Sequence, residues 1–100
     1  MGLKGPDKEE EMYFFVEFHI KNQKKWVQQW EKAQSRIPAN SYFIQKFSSK
    51  DWEIAIAVWD FSSQKTLEAF IREYFDDCSA WKCFEMDRHQ IEGMPLKKAS

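Results

Sequence analysis

Every second residue from 12 to 20 is apolar: Met12, Phe14, Val16, Phe18 and Ile20 alternate with Tyr13, Phe15, Glu17 and His19. Side chains on a strand point to opposite faces in turn, so this run predicts a strand with one apolar face and one mixed face. Such a strand has to be covered by a second layer. The material for that layer follows directly. Trp26, Trp30, Ala33 and Ile37 recur at helical spacing, with Asn22 placed to cap the start and Pro38 marking the stop. Residues 42–48 read as a second strand, Ser48-Ser49-Lys50-Asp51 as a tight turn, and 52–61 as a third strand with Ile54, Ile56 and Val58 on one face. Ser62 or Ser63 caps a second helix whose stripe is Leu67, Phe70, Ile71, Tyr74, Phe75 and Cys78. A fourth strand is expected over 81–91, with Phe84 and Met86 on its apolar side.

The order strand, helix, strand, strand, helix, strand predicts an α+β domain of ferredoxin-like βαββαβ type. Its sheet is four-stranded and antiparallel, in order 4-1-3-2, with two helices on one face. Charge placement agrees with this topology. The first helix begins with Lys24 and Lys25 and the second ends with Asp76 and Asp77, so each pair opposes its own helix dipole. Antiparallel helices bring these two ends together, which predicts a contact between one of the lysines and one of the aspartates. The other reading, an anion site at Lys21, Lys24 and Lys25, lacks the glycine of a phosphate-binding backbone.

One hundred residues hold a single domain. Residues 1–11 read as a disordered leader, 12–92 as the domain and 93–100 as a flexible tail. Aromatics are 17% of the chain, which demands either a core of large rings or a surface that binds something flat. With 15 basic against 16 acidic residues, nothing draws the whole molecule to nucleic acid. No apolar run reaches the roughly 20 residues of a membrane span, and the polar leader lacks a secretory signal. A cytoplasmic protein with no membrane partner is therefore expected, with Cys78 and Cys83 as reduced thiols. Their C-x4-C spacing, without further Cys or nearby His, does not suit zinc, and no metal site is expected.

The sheet face that the helices leave bare is expected to carry Tyr13, Phe15, Phe43 and Phe47 beside Glu17, His19, Glu53, Cys83, Glu85 and Asp87. Ala55 and Ala57 would form a hollow in its middle. If Glu17 and Glu85 stood opposite each other they would share a proton for acid–base work, and with His19 and Glu53 they would suit a divalent cation. A solvated face and a partly wet dimer interface, with Lys46 and Arg88 as basic partners, are the other readings. Trp59 is expected on this bare face, whereas Trp26, Trp30, Phe70 and Tyr74 point from the helices into the core. Single-stranded RNA binding would need aromatic platforms on the central strands and basic surroundings. Ala55, Ala57 and the carboxylates argue against it, so no nucleic-acid partner is expected.

The stretch Ala57-Val58-Trp59-Asp60-Phe61-Ser62-Ser63, followed by Thr66-Leu67-Glu68-Ala69-Phe70, resembles a pattern of the dimeric α+β barrel superfamily. In its antibiotic-biosynthesis monooxygenase-like members the third strand ends in Trp beside an acidic residue, and a Ser-containing turn leads into a helix beginning Leu-Glu-Ala. The resemblance implies a homodimer whose bare sheet faces meet, and a pocket for a small hydrophobic or aromatic compound. It also implies cofactor-free oxidation or isomerisation, with no cofactor bound. His19 and Glu17 would then carry protons, and Trp59 and Tyr74 would contact the ligand. Two departures stand out. Phe70 follows Ala69 where those members often carry a helix His, and Phe14, Val16 and Phe18 fill the face where haem-degrading relatives place an Asn. The alternative is a non-enzymatic protein-interaction or ligand-binding domain.

Overall fold

A computed structural model describes residues 12–90 and residue 92. The chain runs β1 (Tyr13–Ile20), α1 (Gln23–Gln34), β2 (Tyr42–Ser48), β3 (Ile54–Asp60), α2 (Gln64–Phe75) and β4 (Ser79–Glu85). All pairings are antiparallel and the sheet order is β2-β3-β1-β4, the expected ferredoxin-like arrangement. The leader and tail assigned to 1–11 and 93–100 lie outside the described residues. The fourth strand stops at Glu85, well short of residue 91, and a 3-10 turn at Arg88–Gln90 follows. That turn is held where the His89 N–H donates to Asp87 Oδ1 at 3.0 Å.

Both helix starts are capped by the side chains read from sequence. Asn22 Oδ1 accepts from the Lys25 N–H at 3.0 Å, and Ser63 Oγ accepts from the Thr66 N–H at 3.1 Å. Each bond satisfies one of the N–H groups that a first helical turn leaves without a partner. The helix ends meet as their charges require, with Lys25 Nζ 3.3 Å from Asp77 Oδ2.

The register fixes which residues the helices cover. Phe14 stands opposite Trp59, Val16 opposite Ala57 and Phe18 opposite Ala55. Trp59, Ala57 and Ala55 therefore share the helix-covered face with the even residues of β1, and all three are buried. This reverses the expectation for the third strand: Ile54, Ile56 and Val58 point to the bare face and the alanine hollow lies under the helices. The fourth strand is reversed in the same way. Cys83 pairs with Val16 and Trp81 with Phe18, while Phe84 stands beside Phe15 on the bare side. Every other residue lies on the opposite face, so an error of one residue in parity exchanges a whole strand's faces.

On β2 the pairing slips between Phe43 and Gln45, a bulge at Ile44. Before it Phe43 faces the helices opposite Trp59, and after it Lys46 does so opposite Ala57. A bulge adds one residue and shifts the alternation that follows. Between β2 and β3 the turn is tied by Asp51 Oδ1, which accepts from Ser49 Oγ at 2.7 Å and from the Glu53 N–H at 3.0 Å. These two bonds hold the Asp51 carboxyl below its usual range. Trp52 leaves the turn with φ 62, a left-handed conformation costly for a bulky residue. Its ring packs edge-on against Trp26, 6.1 Å between centroids, which offsets that cost.

Candidate functional site

The layer between helices and sheet is made of rings. The backbone of α1 approaches α2 more closely than it approaches any strand, and large side chains fill the space beneath it. Trp26 stacks on Trp30 at 5.3 Å, and Trp30 meets Trp59 at 5.5 Å and Phe43 at 5.4 Å. Alanines at 33, 55 and 57 supply the room that indoles at 26, 30 and 59 need. Trp59 reaches Phe70 at 6.3 Å, and Phe70 reaches Tyr74 at 5.3 Å. The two aromatic residues expected to contact a ligand thus belong to one layer. Trp59, however, is core under the helices and not an exposed ring on the bare face.

Lys46 enters the same layer from the edge strand. Its ammonium lies 5.3 Å from the ring centroid of Trp30, 5.5 Å from Trp52 and 5.7 Å from Trp26. Among the described residues it has no hydrogen-bond acceptor or carboxylate partner. Two indole N–H groups nearby, those of Trp26 and Trp59, are also buried without an acceptor. The sequence names Lys46 only as a strand-end basic partner at a dimer interface, and the structure turns it under the helices opposite Ala57. What the bulge overturns is Phe43, expected on the bare face with Gln45 and Phe47 and found opposite Trp59 under the helices.

His19 and Glu17 come together on the opposite side of the sheet, with Nε2 2.9 Å from Oε2. Glu17 stands between Ile56 and Lys82 in the register. Glu85 is opposite Phe14 on the other face, so the proposed carboxylate pair does not exist. Glu53 belongs to the turn before β3. Among the described residues no three His, Cys, Asp or Glu side chains gather in a way that could hold a metal ion. Cys83, expected on the bare face, is half-buried beneath α2, and desolvation pushes its thiol up to about 12.

The bare face keeps Phe15 and Phe47 as expected, loses Phe43 and Trp59 to the helix side, and gains Ile56, Val58 and Phe84. Its central rows carry the buried Val58 with the half-buried Phe15 and exposed Phe84, then exposed Phe47 and half-buried Ile56 beside Glu17 and Lys82. Phe47 is 54% exposed, Phe84 47%, Tyr42 44% and Ile54 37%. Phe15 and Phe84 hold each other at 6.0 Å. None of the helices among the described residues is long and apolar enough to cross a membrane. Against these two faces, comparison with family models, with curated proteins and with solved structures gives no match.

Proposed function

We propose that the protein is a cytoplasmic homodimeric binding module of the dimeric α+β barrel type. Two copies meet through their bare sheet faces, and each holds a small hydrophobic or aromatic compound in its ring-lined layer. The observation that carries this reading is that Phe47, Phe84, Tyr42 and Ile54, all exposed, stand on one face of a single sheet around the buried Val58 and Tyr13. Monomers seldom leave such a patch in water. Four strands about 4.8 Å apart and seven residues long have a flat footprint of roughly 450 Å². That is below the roughly 800 Å² per partner of a standard stable interface, so a weak dimer that dissociates on dilution is expected. Sedimentation equilibrium tests it. A dimer is expected for the natural chain, and the double variant Phe47→Glu, Phe84→Glu should be monomeric with its circular dichroism unchanged. A monomer at high micromolar concentration sinks the reading.

The His19–Glu17 contact favours a second reading, a cofactor-free monooxygenase or isomerase acting on an aromatic compound. A carboxylate beside an imidazole orients the ring and stabilises its cation, which suits proton transfer. The pair and the ring-lined layer lie on opposite faces of the sheet, so the compound it acts on would bind on the bare face. His19→Ala should abolish turnover of a bound aromatic compound and leave its affinity alone. Unchanged turnover would remove the pair from the chemistry.

A further inference from the structure

The ring-lined layer offers hydrogen-bond donors and a cation with nothing to receive them. A buried N–H left without an acceptor costs about 1–3 kcal/mol, so two in one cluster call for an explanation. The indoles of Trp26 and Trp59 are fully buried and both flank Trp30, at 5.3 and 5.5 Å. Lys46 cannot serve either of them, because an ammonium only donates. Its own charge rests on three indole faces with no counter-anion among the described residues. The third buried orphan is Gln34 Oε1, one turn beyond Trp30 along α1. Its amide, turned end for end, presents donors as well.

From this imbalance we infer that the compound held in the ring-lined layer is a small aromatic anion, an aryl carboxylate or phenolate, bound beside Lys46. The inference rests on the binding reading above and adds the charge and polarity of the ligand. Room for it comes from Lys46 itself, whose four-carbon stem and ammonium occupy the space over Ala57 among the indoles. Half-buried on an edge strand, that side chain swings outward when an aromatic ring takes its place. The ammonium then closes over the ligand's anionic group, exchanging three cation–π contacts for a charge-assisted hydrogen bond. The ring stacks on Trp30, and the indole N–H groups gain an acceptor. A neutral ligand of the same shape fills the space but leaves the donors unserved. A cationic one meets Lys46 as a like charge.

Calorimetric titration of the full chain with 1-naphthoate, 1-naphthalenemethanol and 1-naphthylmethylammonium tests this. Naphthoate is expected to bind at least about tenfold more tightly than the alcohol, the scale of one charge-assisted contact, and the ammonium not at all. Lys46→Met should erase the preference for the anion while the alcohol still binds. Trp59→Phe, which keeps a ring and removes the N–H, should weaken naphthoate several-fold more than it weakens the alcohol. Equal binding of naphthoate and alcohol, unaltered in Lys46→Met, would overturn the anion site and leave the aromatic-binding reading standing. No binding by any of the three overturns both.

Discussion

Trp59 touches Trp30, Phe43 and Phe70 and has no exposed surface, so removing it acts on folding first. Trp59→Ala is expected to cost about 3–5 kcal/mol, read as a lower urea midpoint at constant m-value. Because the ring lies under the helices, the dimer constant of the variant that remains folded should be unchanged. Cys83 gives a second residue-level test. Desolvation favours its neutral thiol in the folded state, raising the pKa above the unfolded value to about 12. The stability this contributes is complete below the unfolded thiol's pKa and is lost as pH rises toward about 12. Native protein at mildly alkaline pH should therefore react with a thiol reagent far more slowly than the urea-unfolded chain. Equal rates would mean the thiol is open to solvent.

At the scale of elements, the strand and helix order, both N-caps and the meeting of helix ends were legible in the sequence, because each rests on local chemistry. Lys25–Asp77 is an exposed pair, and exposed pairs contribute at most about 1 kcal/mol. Asp77→Asn should lower stability by no more than that in dilute buffer, and the difference should vanish in about 1 M salt, where the Debye length is about 3 Å. What was not legible is which way β3 and β4 face. On β3 the residues Ile54, Ile56 and Val58 alternate with Ala55, Ala57 and Trp59, so both sets are apolar. The bulkier branched set reads as core by hydrophobicity alone. The true choice is made by volume: α1 brings two indoles down onto the sheet, and only an alanine floor leaves space for them. That is a tertiary fit between distant segments, and strand periodicity does not contain it. The site inherited the error. Glu17 with His19 survived as a pair because both lie on β1, whose parity was unambiguous, whereas Glu85 and Trp59 were assigned to the wrong side.

For the molecule as a whole, the two faces of the sheet divide two kinds of work. One carries exposed aliphatic and aromatic side chains, and the other shelters indoles and one cation beneath helices. If the proposed dimer and ligand are right, substitutions on the bare face should weaken pairing and leave ligand affinity intact, and those that empty the layer should do the reverse. The sheet order has another consequence, which concerns how the chain is made. β1 is the first of the four strands to be synthesised, yet it lies between β3 and β4 and needs both neighbours. Phe14 waits for Trp59 on one side and for Glu85 on the other. While a ribosome is still adding β4, the strand that carries Phe14, Val16 and Phe18 has an open edge, and an incomplete layer of rings lies above it. Such a nascent chain exposes apolar surface until its last strand emerges. A stall before residue 79 would leave it a client of holding chaperones, and release from them should coincide with completion of β4.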